Sequence, residues 1–318
     1  MTPGELLAEV TRRDLGSGRD VVESVHTGHL VLTGPDGEVV GAIGDPDVPT
    51  FIRSAAKPLQ TSACLELLPD THDLSDAEVA VSYASHRGEA SQIAAVRRLL
   101  ERSGTDPDRL TCPAARPDAD PGAAPARILH NCSGKHALFA LAGAHLGTSR
   151  GDLLDPQGSL QRPVLDRMAA WLGPPVATGT DGCGAPAVVV PLVALARAYA
   201  RIAIDDGFAP VRAAGMAQPQ LVGGEGRLES ALLAAGVMAK VGAEGSYAVG
   251  WRDRDGRPGG LAVKAADGST RGVAAAAIAL LEQLGVVPGG VWEPPPPLGG
   301  GAPVGQVRAA PAVLRLAD

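Results

Sequence analysis

Phe51-Ile-Arg-Ser-Ala-Ala-Lys-Pro-Leu-Gln60 is the stretch whose reading decides the fold. It sets Ser54 and Lys57 in a Ser-x-x-Lys spacing, and residues three apart on a helix share a face, about 5–6 Å apart at Cβ. A lysine amine can then reach the serine hydroxyl from within one turn. A serine is a poor nucleophile until a neighbour takes its proton, and a neutral, desolvated lysine can be that neighbour. Pro58 fits a helix that starts near Ser54, because proline is tolerated in a first turn and breaks an interior. Ser54 would then lie where the helix dipole favours developing negative charge.

The background composition sharpens this spacing. Of 28 Lys+Arg, only Lys57, Lys135, Lys240 and Lys264 are lysine. Arginine stays protonated, whereas a buried lysine can titrate, so a chain this rich in arginine keeps lysine where a titratable amine is needed. Its serine and lysine counts give about 0.2 chance Ser-x-x-Lys pairs, and one is present. A surface lysine following a small buried residue is the plainer reading of the same spacing, and the stretch alone leaves both open.

With 318 residues, 45% of them apolar, the chain suits one large or two moderate domains. Aromatics at 3% leave alanine, valine and leucine to fill the core. A net charge of −7 offers no basic footprint for nucleic acid. The opening Met1-Thr-Pro-Gly-Glu5 lacks the features of a signal peptide. The longest apolar run, Ala185 to Ala196, is interrupted by Pro186 and Pro191 and is too short for a bilayer. Four cysteines without a secretion signal favour reduced thiols, and the expectation is a cytoplasmic protein without a membrane segment.

Along the chain, residues 1–20 read as a polar lead-in. Val21 to Gly44 alternates around Pro35-Asp36-Gly37 as a β-hairpin does. After the Ser54 helix, the apolar run from Ala80 ends in Ser85, His86, Gly88 and Glu89, which suits a site loop or a helix cap. Gln92 to Arg102 predicts a helix, and 106–127 a long loop. His130-Asn-Cys-Ser-Gly-Lys-His136 opens a helix to about Leu146. Thr178 to Pro186 is a loop opening another helix to about Ile204. Short strands follow at Val237–Lys240, Ser246–Trp251 and Leu261–Lys264, then a helix at Gly272–Leu284 and a Pro/Gly-rich extended arm from Val287. The predicted class is mixed α/β (α+β), an antiparallel sheet built from both termini with an inserted helical subdomain. The sheet part spans about 20–60 and 220–286, the helical part about 61–219, and the tail 287–318.

Lys240 sits on a predicted strand with a glycine two residues on. Ser-x-x-Lys, a mid-chain Ser85 and Lys-x-Gly together are similar to the arrangement of penicillin-recognising enzymes. A second lysine near the first would keep one of the two neutral, and Lys240 could also attract a substrate carboxylate. Cys132-Ser-Gly-Lys-His136 and Cys183 form a candidate metal site in which thiolates and a histidine suit zinc, lysine being an unusual ligand because its amine must be neutral to donate. By general rules that spacing is weak, and two small buried cysteines explain it as well. Asp181 could orient a ligand amine or form a turn. Arg53 could bind a carboxylate or form a surface ion pair.

Together these segments resemble the rhizobial-type (class 3) L-asparaginases, the asparaginase II family. The resemblance runs through Glu23-Ser-Val-His-Thr-Gly28, Arg53-Ser-Ala-Ala-Lys-Pro58, Ser85-His86 with Glu89, His130-Asn-Cys-Ser-Gly-Lys-His136, Thr180-Asp-Gly-Cys183, Gly223-Gly-Glu-Gly-Arg227 and Lys240-Val-Gly-Ala-Glu-Gly245. It covers nearly the whole chain and treats 1–318 as one asparaginase II-type domain. It implies a serine β-lactamase-like fold, hydrolysis of L-asparagine to L-aspartate and ammonia, and a homodimer. The implied catalytic residues are Ser54, Lys57, Ser85 and Lys240. Arg53, His86, Asn131, His136 and Asp181 are the candidate substrate-binding residues beside them. Cys132, Lys135 and Cys183 are the implied zinc ligands, with the metal structural or substrate-positioning. One departure stands out: Leu110-Thr-Cys-Pro-Ala-Ala-Arg-Pro117 has Pro113 and Ala115 where such proteins tend to carry glycine and histidine. The rivals are a glutaminase or another serine amidohydrolase on the same fold, a penicillin-interacting peptidase, and a non-catalytic, zinc-stabilised binding protein.

Overall fold

Leu30-Val-Leu32 is buried residue after residue, which a strand achieves only when both its faces are covered. The protein, described by a computed structural model over residues 2–69 and 74–317, divides into two compact units.

One unit comprises Met1–Thr50, Pro191–Ile204 and Ala239–Asp318. Its sheet runs in the order Val307–Ala309, Glu5–Arg13, Asp20–Thr33, Pro258–Ala265, Ser246–Arg252, Met238–Gly242, and Val39–Ile43 also pairs with Asp20–Thr33. The defined registers are antiparallel, from Gly28↔Ala265 to Thr33↔Gly260 and from Ser246↔Lys264 to Arg252↔Pro258. Helix Leu192–Ile204 lies on this sheet at backbone contact. A Cβ on Gly250 would come 1.9 Å from the Tyr199 carbonyl oxygen, and one on the paired Gly260 2.1 Å from that of Ala196. Only glycine lets the helix sit so close.

Both ends of the chain differ from the expectation. The supposed lead-in forms strand Glu5–Arg13, and the supposed arm supplies strand Val307–Ala309 and a short helix, Pro311–Leu314. Ala8↔Ala309 and Val10↔Val307 pair across the sheet, and Ala8, Val10, Val307 and Ala275 close one core cluster. Glu5–Arg13 also pairs with the next strand, Asp20–Thr33, but its pairing with Val307–Ala309 joins segments about 300 residues apart, beyond the reach of any local pattern.

The other unit comprises Phe51–Val190 and Asp205–Met238 and is mainly helical. Helices Lys57–Glu66, Asp76–Ser82, Ala90–Ser103, Ser133–His145 and Gln161–Leu172 carry most of it. Gly134 opens the fourth of these against the second. A Cβ there would meet the Val81 carbonyl oxygen at 2.0 Å. The loop at 178–186 is corrected: Ala177–Thr180 and Pro186–Pro191 form an antiparallel hairpin, and the next helix begins only at Leu192. A β-branched run as short as Val188-Val-Val190 does not declare helix or strand by periodicity. No helix among the described residues is long and apolar enough to cross a membrane.

Helix Asp76–Ser82 begins with a capping box whose acid does double duty. The Glu78 carboxylate accepts from the Ser75 N–H at 2.8 Å, the Ser75 hydroxyl at 2.7 Å and Arg102 Nε at 2.6 Å, with the acid side chain 2% exposed. Burial opposes its ionisation, but Arg102 and Ser75 outweigh it and hold the carboxyl below its ordinary value. A carboxyl lowered in the folded state stabilises above the unfolded pKa, and that contribution is lost as pH falls through the folded one. Glu78→Gln is therefore expected to cost about 1–3 kcal/mol at neutral pH. The gap to the parent should close below about pH 4. Urea unfolding at both pH values checks this, and a pH-independent gap would refute it.

Candidate active site

Ser54 sits in a single 3₁₀ turn, Arg53–Ala56, that runs directly into helix Lys57–Glu66 with Pro58 in its first turn. Buried Ile52 pins the turn, its N–H reaching the Val188 carbonyl at 3.4 Å. Arg53 is left-handed at φ +48°, at a cost of about 1–2 kcal/mol for a residue with a Cβ. Strain of this kind persists where the surroundings fix it, and here it adjoins the half-exposed Ser54.

Lys57 is fully buried. Its amine donates to the Ala84 carbonyl at 2.5 Å, to Ser85 Oγ at 3.2 Å and to the Asn131 carbonyl at 3.5 Å. Among the described residues no carboxylate lies within ion-pair distance of it. The amine thus meets Ser85 directly, while the hydroxyl of Ser54, one turn away in sequence, makes no hydrogen bond among the described residues.

The two histidines are buried and neutral. Burial, reinforced by the Lys57 charge, pushes His86 down to about 3. Its Nδ1 accepts from the Gly88 N–H at 3.1 Å, so Nε2 carries the proton and donates to Ser133 Oγ at 2.7 Å, which donates on to the Ile128 carbonyl at 2.8 Å. Both ring nitrogens are engaged within this unit. Burial, then the Lys135 charge, lowers His136 well below its ordinary value. Its Nδ1 lies 2.6 Å from Thr111 Oγ1, and its buried Nε2 has no partner among the described residues.

A second cluster adjoins the first. Asn131 Oδ1 lies 3.2 Å from Cys132 Sγ, and the Cys132 and Cys183 thiols are close enough to influence each other's ionisation. Lys135 Nζ donates to Cys183 Sγ at 3.3 Å. The neighbouring Cys183, helped by Lys57 and Lys135, holds Cys132 well below an ordinary thiol, and the neighbouring Cys132 together with burial pushes Cys183 up. Burial of Lys135 is outweighed by Cys183, Cys132 and Asp181, which keep it protonated. Asp181 Oδ2 lies 3.8 Å from Cys183 Sγ, and its Oδ1 accepts from Arg53 Nε at 2.7 Å. Burial opposes the Asp181 charge, but Lys135 and Arg53 lower its pKa. Contacts therefore run from Lys57 through Ser85 and Asn131, across Cys132, Cys183 and Asp181, and return to Arg53 beside Ser54.

The family description of L-asparaginase II matches residues 9–309. The chain belongs to the L-asparaginase II family. The match spans both units. No curated protein matches the sequence. A solved structure described as "Crystal Structure Analysis of Mglu in its native form" is similar at 15% identity with a TM-score of 0.37, the alignment covering 80% of this chain and 63% of that one. A likeness that slight carries no weight for function, and this chain spans less than two thirds of that protein.

Lys240 lies on strand Met238–Gly242 of the sheet unit, fully buried. The remaining candidates, Ser54, Lys57, Ser85, Arg53, His86, Asn131, His136, Asp181, Cys132, Lys135 and Cys183, all lie in the helical unit. The departing loop around Ala115 is held without a histidine: Ala115 and Ala126 exchange backbone hydrogen bonds, and Arg127 Nη1 donates to the Leu110 and Cys112 carbonyls. Sequence reasoning missed the carbonyls of Ala84 and Asn131, the Ser133 relay and the Arg53 backbone. Backbone acceptors carry no residue signature, but Ser133 stood inside the Asn-Cys-Ser-Gly-Lys-His stretch and could have been found there.

Proposed function

We propose that this L-asparaginase hydrolyses L-asparagine to L-aspartate and ammonia by covalent serine catalysis on a serine β-lactamase-like fold. The observation that carries the reading is the buried Lys57 amine, held by two carbonyls against Ser85 Oγ and one turn from Ser54. In its neutral form Lys57 takes the Ser54 proton, directly or through Ser85, and Ser54 Oγ attacks the side-chain amide carbon. The C–N bond breaks as Ser85 passes a proton to the departing nitrogen. Water then cleaves the β-aspartyl ester, the same groups moving protons in reverse. Lys240 is assigned to Ser85 polarisation by its family position. Arg53, with its Nε committed to Asp181, presents its outer guanidinium nitrogens to the substrate carboxylate. Asn131, His86, His136 and Asp181 shape the site.

The contact also supports a second reading. Ser85, not Ser54, is the hydroxyl that Lys57 touches, and a nucleophile is expected beside its base. Ammonia release by Ser54→Ala and Ser85→Ala separates the two. Comparing L-asparagine with L-glutamine tests the substrate: faster release from glutamine would make the chain a glutaminase, and no release from either would favour a binding protein. The family resemblance adds the expectation of a homodimer.

Zinc belongs to the same reading. Among the described residues no three His, Cys, Asp or Glu side chains group as a metal centre, so the donors would be the Cys132 and Cys183 thiolates with the Lys135 amine. Two adjoining thiols, one readily ionised, suit zinc in sulfur character. When bound, zinc would cross-link the Cys132 turn to the Cys183 loop and fix the pocket. Binding requires Cys183 and Lys135 to give up protons, so affinity should rise with pH. Cys132→Ala is expected to lower zinc content from one equivalent to a small fraction and Tm by about 4–8 °C. Atomic absorption and calorimetry check this. Full zinc in the variant would remove Cys132 from the ligand set.

A further inference from the structure

All four lysines are buried, whereas no arginine is buried among the described residues. Lys264 alone has no part in the mechanism above. It lies on strand Pro258–Ala265, facing Ser246 on one neighbour and His29 on the other. Its amine donates to the carbonyl of Glu244 and, at 3.1 Å, to that of Ala265. Glu244 and Gly245 are left-handed in succession, at φ +59° and +65°, as tight hairpin turns require. For glutamate this costs about 1–2 kcal/mol. The turn joins Met238–Gly242, which carries Lys240, to Ser246–Arg252. The segment after Lys264 grips the same turn. The Ala265 N–H bonds the Gly245 carbonyl at 2.8 Å, while Asp267 is held 2.7 Å from His26 Nδ1, whose Nε2 accepts from Arg271 at 3.3 Å.

We propose that Lys264 is a positioning residue for Lys240: its amine fixes the left-handed Glu244 carbonyl and thereby the register in which the strand presents Lys240. The inference rests on the catalytic role proposed for Lys240. Side chains alternate along a strand, so a one-residue slip at the turn would send Lys240 to the opposite face. A lysine suits the task because its ammonium is donor only and bonds several carbonyls at once. Methionine would fill the space and leave those oxygens without that donor.

The test is steady-state kinetics on the full chain. Lys264→Met is expected to lower kcat for L-asparagine by at least about tenfold with KM within about threefold. Lys240→Met and the Lys240→Met/Lys264→Met double variant should have equal kcat, since the clamp then has nothing to position. Glu244→Gly should rescue Lys264→Met to within about threefold of the parent, because glycine takes positive φ without penalty. Turnover of Lys264→Met within about twofold of the parent overturns the proposal. So do losses that multiply in the double variant, or a failure of Glu244→Gly to rescue. Should Lys264→Met not fold, Lys264→Gln, with a shorter donor, enters the same comparison. Parental turnover by Lys240→Met overturns instead the catalytic reading of Lys240, and it shows in that single variant alone.

Discussion

Ser54→Ala is expected to lower kcat for L-asparagine by at least about 10⁴-fold while KM stays within about threefold. The hydroxyl is half-exposed in a turn anchored by Ile52, so its removal leaves the surrounding contacts in place and Tm near the parent. What disappears is the nucleophile alone. The residual rate is that of bound water attacking the same oriented amide. Initial-rate ammonia release, with mass spectrometry of protein treated with a diazoketone analogue of the substrate, checks both halves. The parent should gain one adduct on the peptide holding Ser54, and the variant none. A variant that keeps more than about 1% of turnover and carries its adduct on Ser85 would exchange the roles of the two serines, as the Lys57–Ser85 contact allows.

Lys57→Met is expected to cost about 10³-fold in kcat, and Lys57→Arg to rescue none of it. Arginine would supply charge and donors at the same place but cannot accept a proton, so this pair separates a base from an electrostatic anchor. Stability should respond less than activity. The Asn131 carbonyl keeps its bond from the His86 N–H, so Ala84 O is the acceptor left short, worth about 1–3 kcal/mol. Urea denaturation gives that figure independently of turnover. Activity of Lys57→Arg within about tenfold of the parent would end the general-base role.

How much was legible differs by residue. The Ser54–Lys57 spacing, the Pro58 helix start, the hairpin of Asp20–Thr33 with Val39–Ile43 and the strand bearing Lys240 all follow from local rules, and the structure has each. The motifs likewise named the side chains that make the ring of contacts from Lys57 to Arg53. Their mutual geometry was not legible. Ser-x-x-Lys predicts a serine and a lysine on one helical face, yet a 3₁₀ turn precedes the helix, and the amine is drawn to Ala84, Ser85 and Asn131 from two other segments.

The sequence by itself determined which groups this chain has available: a scarce set of lysines, a Ser-x-x-Lys spacing, paired thiols and the family that unites them. Those are properties of residue type and short-range spacing, which a chain carries whether folded or not. Only the tertiary structure decided which lysine meets which serine, that His86 is spent on Ser133, and that the first strand pairs with the last. Hydrogen bonds and burial depend on segments brought together from 30 to 300 residues apart, and a backbone carbonyl that captures a lysine leaves no mark in the sequence.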